Sequence, residues 1–86
     1  MFYVYILLCC DGSFYTGYTK NLEKRTIQHQ NGTGAKYTKA HRPQKVAYVE
    51  NFGSRGEAMR REREIKKLSH RQKNDLIASK NKKPSG

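Results

Sequence analysis

Apolar residues crowd the first twenty positions of this chain and thin out beyond them. Residues 2–10, FYVYILLCC, are nearly all apolar or aromatic strand formers. They run into Asp11-Gly12, a strong short-range hairpin signal, before strand character resumes in SFYTGYT. After Asn21, LEKRTIQHQ has few apolar positions but good helix formers, with Asn21 placed to cap the start and Gly32 to stop the end. GTGAKYTKAHRPQ reads as a basic loop, and KVAYVENF alternates well enough for a third strand. Ser54-x-x-Glu57 is a capping box that opens a helix reaching about Leu68, and Ser69-x-x-Gln72 opens a second, short one. The order β-β-α-β-α-α predicts an α+β fold, a small three-stranded antiparallel sheet flanked by helices.

The hairpin admits two registers. A two-residue turn at Asp11-Gly12 sets Tyr5 opposite Tyr18 and mixes tyrosines with aliphatics on both faces. A three-residue loop, Cys10-Asp11-Gly12, with Gly12 in the left-handed region, separates them. Val4, Ile6, Leu8, Phe14, Thr16 and Tyr18 then share an apolar core face, and Tyr3, Tyr5, Leu7, Tyr15 and Gly17 share the other. A chain with little apolar material favours that segregation. It brings Tyr5 and Tyr15 together beside Gly17, and a glycine inside a strand marks a bulge or a close approach. The face with the gap is the candidate floor of a site.

Helical spacing adds charged groups to this picture. Leu22, Arg25, Thr26 and His29 fall at i, i+3, i+4 and i+7, so the leucine that docks on the sheet carries a guanidinium and an imidazole beside it, near the tyrosines. In the helix after Ser54, Ala58, Ile65 and Leu68 form the apolar stripe. Glu62 projects within about 60° of it, while Glu57 and Glu64 point away. A carboxylate on a docking face needs a partner or a purpose, because burying it unpaired is costly. Arg61, also near the stripe, is either an ion-pair partner or a snorkelling side chain.

Length and charge then narrow the classes. Eighty-six residues make one domain that buries roughly 60% of its unfolded surface, expected over residues 1–78, with SKNKKPSG at 79–86 as a disordered basic tail. A formal charge of +11 points to a polyanionic partner, most simply nucleic acid, although ribosomal proteins, nucleases and membrane-surface peptides share such a balance. Val4 to Cys10 is too short to span a bilayer and has no basic leader, so a cytoplasmic protein is expected, nucleoid-associated or not, without membrane contact. Adjacent Cys9 and Cys10 are expected to be reduced thiols. Lys36, Tyr37, Lys39 and Arg42 cluster in the basic loop as a candidate patch for backbone binding and base stacking.

Tyr3-Val4-Tyr5, Tyr15-Thr16-Gly17, Arg25 and His29 in the next helix, and Glu62 in a later one resemble the GIY-YIG nuclease superfamily over about Phe2 to Ala78, in particular its small stand-alone bacterial members. GAKYTKAHRP is similar to the corresponding loop in the catalytic subunit of structure-selective junction nucleases. Tyr3 stands where the first motif has glycine, Thr16 where the second has isoleucine, and Thr26 where a leucine is usual. These positions bear on packing more than on chemistry.

The resemblance implies a metal-dependent endonuclease that hydrolyses DNA phosphodiester bonds, in the setting of repair or recombination, with Tyr5, Tyr15, Arg25, His29 and Glu62 as catalytic residues. Glu62 would hold Mg²⁺ or Mn²⁺ with help from substrate phosphate. Arg25 would meet the charge that develops on phosphate. Tyr5 or Tyr15, its phenolate favoured by Arg25, a metal and a lysine, would take a proton from water, and His29 would relay that proton or orient a tyrosine. DNA is the expected partner ahead of RNA, with a protein partner for targeting as a further expectation and the oligomeric state open. The alternatives are a non-catalytic nucleic-acid-binding module and an accessory subunit of a repair complex.

Overall fold

The computed structural model describes residues 1–31 and 40–81. Its elements are β1 (Phe2–Cys9), β2 (Phe14–Thr19), α1 (Leu22–Gln30), β3 (Pro43–Phe52), α2 (Arg55–Lys66) and α3 (His70–Asn81). The sheet is antiparallel in the order β2-β1-β3, so the first strand is the central one. The predicted order of elements holds among the described residues.

The hairpin has the three-residue loop. Val4 pairs with Tyr18, Tyr5 with Gly17 and Ile6 with Thr16, and the Cys9 N–H donates to the Ser13 carbonyl at 2.8 Å. Gly12 sits at φ 85°, where an L side chain is strained, and its N–H donates to the Cys9 carbonyl. Asp11 closes the loop by accepting from both the backbone N–H and the hydroxyl of Ser13. β3 starts at Pro43, two residues ahead of the predicted Lys45, because proline is tolerated at the first residue of a strand. Two irregularities in its pairing, between Ile6 and Leu7 and between Leu8 and Cys9, leave Ala47 and Gln44 as the extra residues. The first one places Val46 opposite Leu7 on the tyrosine face while Tyr48 and Glu50 stay opposite Ile6 and Val4.

Each face of the sheet is covered. On one, Val4, Ile6, Tyr48, Ala58 and Ile65 form the core, bordered by Phe2, Phe14, Tyr18, Phe52, Leu68, Leu76 and Ile77, so α2 and α3 lie there. Thr16 is buried in the same layer, with no hydrogen-bond partner for its hydroxyl among the described residues. On the other face α1 buries His29 near Tyr5. Asn21 caps α1 by accepting from the Lys24 N–H at 3.0 Å; the helix ends at Asn31, and the expected stop at Gly32 lies outside the described residues. Ser54 accepts from the Glu57 N–H, and Ser69 and Gln72 cap reciprocally at 2.9 and 3.1 Å. α3 continues to Asn81, three residues past the expected boundary at Ala78.

Arg61 is an ion-pair partner. Its guanidinium forks onto the Glu50 carboxylate, Nε to Oε1 and Nη2 to Oε2, both at 3.0 Å, and the Tyr48 hydroxyl donates to the same carboxylate. The pair ties α2 to β3 one residue before Glu62.

Candidate active site

Strand alternation aims the odd residues of β1 at α1, and the register sets Tyr5 opposite Gly17. The missing side chain has a definite use. A β-carbon on residue 17 would stand 2.7 Å from the Tyr5 hydroxyl, 2.9 Å from its Cζ and 3.1 Å from Cε2 of Tyr15. The Tyr5 ring therefore lies across the backbone of β2 in space that only glycine leaves open. Tyr5 and Tyr15 face each other with ring centroids 6.3 Å apart, on one sheet face as the register predicts.

Helix α1 delivers the remaining groups from its docking side. His29 Nε2 is 2.9 Å from the Tyr5 hydroxyl, and the imidazole lies edge-on to Tyr5 and 5.1 Å from the Tyr15 ring by centroids. Arg25, one turn earlier, lies close enough to Tyr5 and Tyr15 for its charge to act on both and donates from Nη1 to Gln28 Oε1 at 3.2 Å. Gln28 was not legible as a site residue; its only signal was the i, i+3 spacing from Arg25 on the helix. Four of the five catalytic residues expected from the sequence thus form one connected cluster.

Its electrostatics fix the direction of the hydrogen bonds. Burial pushes the Tyr5 phenol up to about 12, against the hydrogen bond and charge of Arg25, which pull it down. Arg25 alone does not make Tyr5 a phenolate, because desolvation outweighs it. For Arg25, burial works against the charge, and the two tyrosine oxygens, Tyr5 foremost, together more than offset it, so the guanidinium is held more firmly protonated than usual. Burial, reinforced by the Arg25 charge, lowers the pKa of His29, which is therefore neutral near pH 7. A neutral His29 leaves Nε2 able to accept from the Tyr5 hydroxyl, with the imidazole proton then on Nδ1.

Glu62 lies on α2, and its carboxylate is largely covered, with 16% of the side chain exposed, paired with Lys66 Nζ at 3.5 Å. Its charge reaches Tyr5, where it is the weakest of the influences that raise the phenol. No group of three or more His, Cys, Asp or Glu that could hold a metal occurs among the described residues. A lone carboxylate suits a hard cation that keeps several waters and completes its shell with phosphate oxygens, so the donor set fits Mg²⁺ or Mn²⁺ bound together with substrate and not a self-sufficient metal cage. Of the expected nucleic-acid patch, Arg42 is exposed and its carbonyl accepts from the Cys10 N–H at 2.7 Å; Lys36, Tyr37 and Lys39 lie outside the described residues. Glu50, the anchor for Arg61, was missed: the two residues are eleven apart on different elements.

The chain is similar to known proteins. The family model of the GIY-YIG catalytic domain matches residues 1–75. A UPF0213 protein of Staphylococcus saprophyticus is 54% identical over 76 residues, covering 88% of this chain and 93% of its own. One from Clostridium perfringens is 56% identical over 80 residues, covering 93% and 86%. The solution NMR structure of a UPF0213 protein from Bacillus halodurans superposes with a TM-score of 0.60 at 48% identity, covering 93% of this chain and 86% of that one. No helix among the described residues is long and apolar enough to cross a membrane.

Proposed function

We propose, on the premise that this chain belongs to the GIY-YIG catalytic-domain family, that it is a divalent-metal-dependent endonuclease hydrolysing DNA phosphodiester bonds, of the kind used in repair or recombination. One observation carries the reading. Tyr5, seated over the gap at Gly17, shares a hydrogen bond with the buried, neutral imidazole of His29 and lies within reach of the permanent charge of Arg25. A merely structural tyrosine needs neither.

Arg25 presents a planar fork to two non-bridging phosphate oxygens and meets the charge that grows on them in the transition state. A water attacking phosphorus loses its proton to the Tyr5 oxygen as the Tyr5 proton passes to His29 Nε2. No free phenolate forms, and His29, not the tyrosine, stores the proton. This route suits a phenol whose pKa is about 12 beside a base whose pKa lies below 6.5, because the tyrosine never has to hold a full negative charge. Tyr15, close enough to act on the Arg25 charge and less buried than Tyr5, orients the guanidinium from the outer side. Glu62 would hold the divalent cation with substrate phosphate, and that cation would neutralise charge at the leaving oxygen.

The test is incubation with single-stranded, duplex, flapped and branched DNAs, with and without Mg²⁺ or Mn²⁺. Metal-dependent nicking of at least one substrate is expected. Tight binding with no nicking of any substrate in either metal would replace the enzyme by a non-catalytic binding module.

A further inference from the structure

The outer face of α2 carries a charge pattern that the active site does not use. Arg60, Arg63 and Lys67 are all exposed and lie within about 60° of one another around the helix, on the side about 180° from the buried Ala58 and Ile65. None of the three is in an ion pair among the described residues, whereas the neighbouring cations are engaged: Arg61 with Glu50 and Glu64, Lys66 with Glu62. The carboxylates that pair on α2 are thus turned to its flanks. Arg60 to Lys67 spans a rise of about 10 Å, close to that of three base pairs along one strand of a duplex.

Position decides what this row can reach. Ala58 and Ile65 pack against Val4 and Ile6, while His29 meets Tyr5 on the opposite sheet face. The row therefore points away from α1, with α2 and the sheet between it and the Tyr5–His29 pair. The molecule is 25 Å across in its smallest dimension, and duplex DNA is stiff over about 150 base pairs. A straight duplex lying against Arg25 does not also lie along the outer face of α2.

We propose that Arg60, Arg63 and Lys67 form a second phosphate-binding surface, which holds a duplex DNA segment other than the one presented to the active site. The protein then bridges two segments: two arms of a branched substrate or two separate duplexes. The inference goes beyond the nuclease reading, and its main measurement needs no cleavage.

The test compares the full chain with the R60Q/R63Q/K67Q variant. Each phosphate contact contributes about 0.9 to the slope of log affinity against log salt, so duplex binding by the variant should show a slope shallower by about 2.7; each single substitution should remove about one third of that, which keeps the test readable if the triple variant folds poorly. The full chain should bring two differently labelled duplexes into energy-transfer range, and the triple variant should not. Cutting of a short single-stranded oligonucleotide, where the parent cuts one, should stay within twofold. An unchanged slope would overturn the proposal and leave the row merely solvated. A reduced slope with no bridging by the parent would overturn the second segment, and a slope that falls only with an RNA duplex would assign the face to RNA instead. If the parent cuts no substrate, the nuclease reading fails while the slope and bridging measurements still decide this one.

Discussion

The hydroxyl of Tyr5 lies 2.7 Å from where the β-carbon of an alanine at Gly17 would stand. Alanine in place of a strand glycine ordinarily removes unfolded-state entropy and stabilises. Here the sign reverses, because the obstructing ring is itself fully buried and hydrogen-bonded to His29. Gly17→Ala should cost about 1–3 kcal/mol, the range for overpacking, and lower the melting temperature on thermal denaturation. A variant that melts at or above the parent would show that Tyr5 has room to move.

The Tyr5–His29 pair predicts two separate pH responses. A folded phenol at about 12 keeps its proton where the unfolded one, at 10.0, has lost it; the folded state binds more protons in that interval, so stability present below pH 10 drains away between about pH 10 and 12. Tyr5→Phe should remove that component from the pH dependence of unfolding. For His29 the shift is downward from 6.5, so the unfolded chain binds more protons below that value. Stability is complete above pH 6.5 and declines as the solution is acidified. His29→Asn should flatten the acid limb of stability and also shift the acid limb of nicking.

Glu62 separates chemistry from folding. Its pairing with Lys66 is an i, i+4 contact to a half-exposed ammonium, of a kind worth about 0.3–0.5 kcal/mol. Glu62→Gln should therefore melt within that margin of the parent and still bind DNA, but lose Mg²⁺-dependent nicking. Nicking near the parental rate would remove Glu62 from the reaction.

The neighbouring residue should behave in the opposite way. Glu50 accepts a forked bond from Arg61 and a hydroxyl bond from Tyr48, and hydrogen bonds to charged groups are worth about 1.5–3 kcal/mol each. Glu50→Gln should destabilise by an amount in that range in urea unfolding. The double variant Glu50→Gln, Arg61→Met should lose less than the sum of the two single changes, since the charge left behind is gone.

Why the site was so legible follows from the tyrosines. Val4, Ile6 and the other even residues of β1 had to face a core, which fixed the register, and the register placed Tyr5 against Gly17 without any tertiary information. His29 and Arg25 followed from helical spacing. What the sequence hid was sign and reach. The sequence places Arg25 near Tyr5 but not the depth of burial that outweighs it, which depends on α1 closing over the sheet. Glu50 and Arg61 are eleven residues apart on different elements, and no local pattern states that a strand carboxylate and a helical guanidinium will meet. The bulge at Ala47, which settles which residues of β3 face the tyrosines, gives no signal in KVAYVENF.

The central place of β1 bears on how the chain is made. Residues 2–9 are made before residues 43–52, so the strand gains its partner on the second side only when those later residues have followed. Until then the hairpin is a two-stranded ribbon, marginal by itself, with an apolar strand whose outer row of amides and carbonyls is open to any passing strand. The charged stretch between the two, LEKRTIQHQ and the basic residues after it, emerges during that interval. Like charges on that stretch repel one another between copies, and charged residues flanking an apolar strand oppose edge-to-edge pairing.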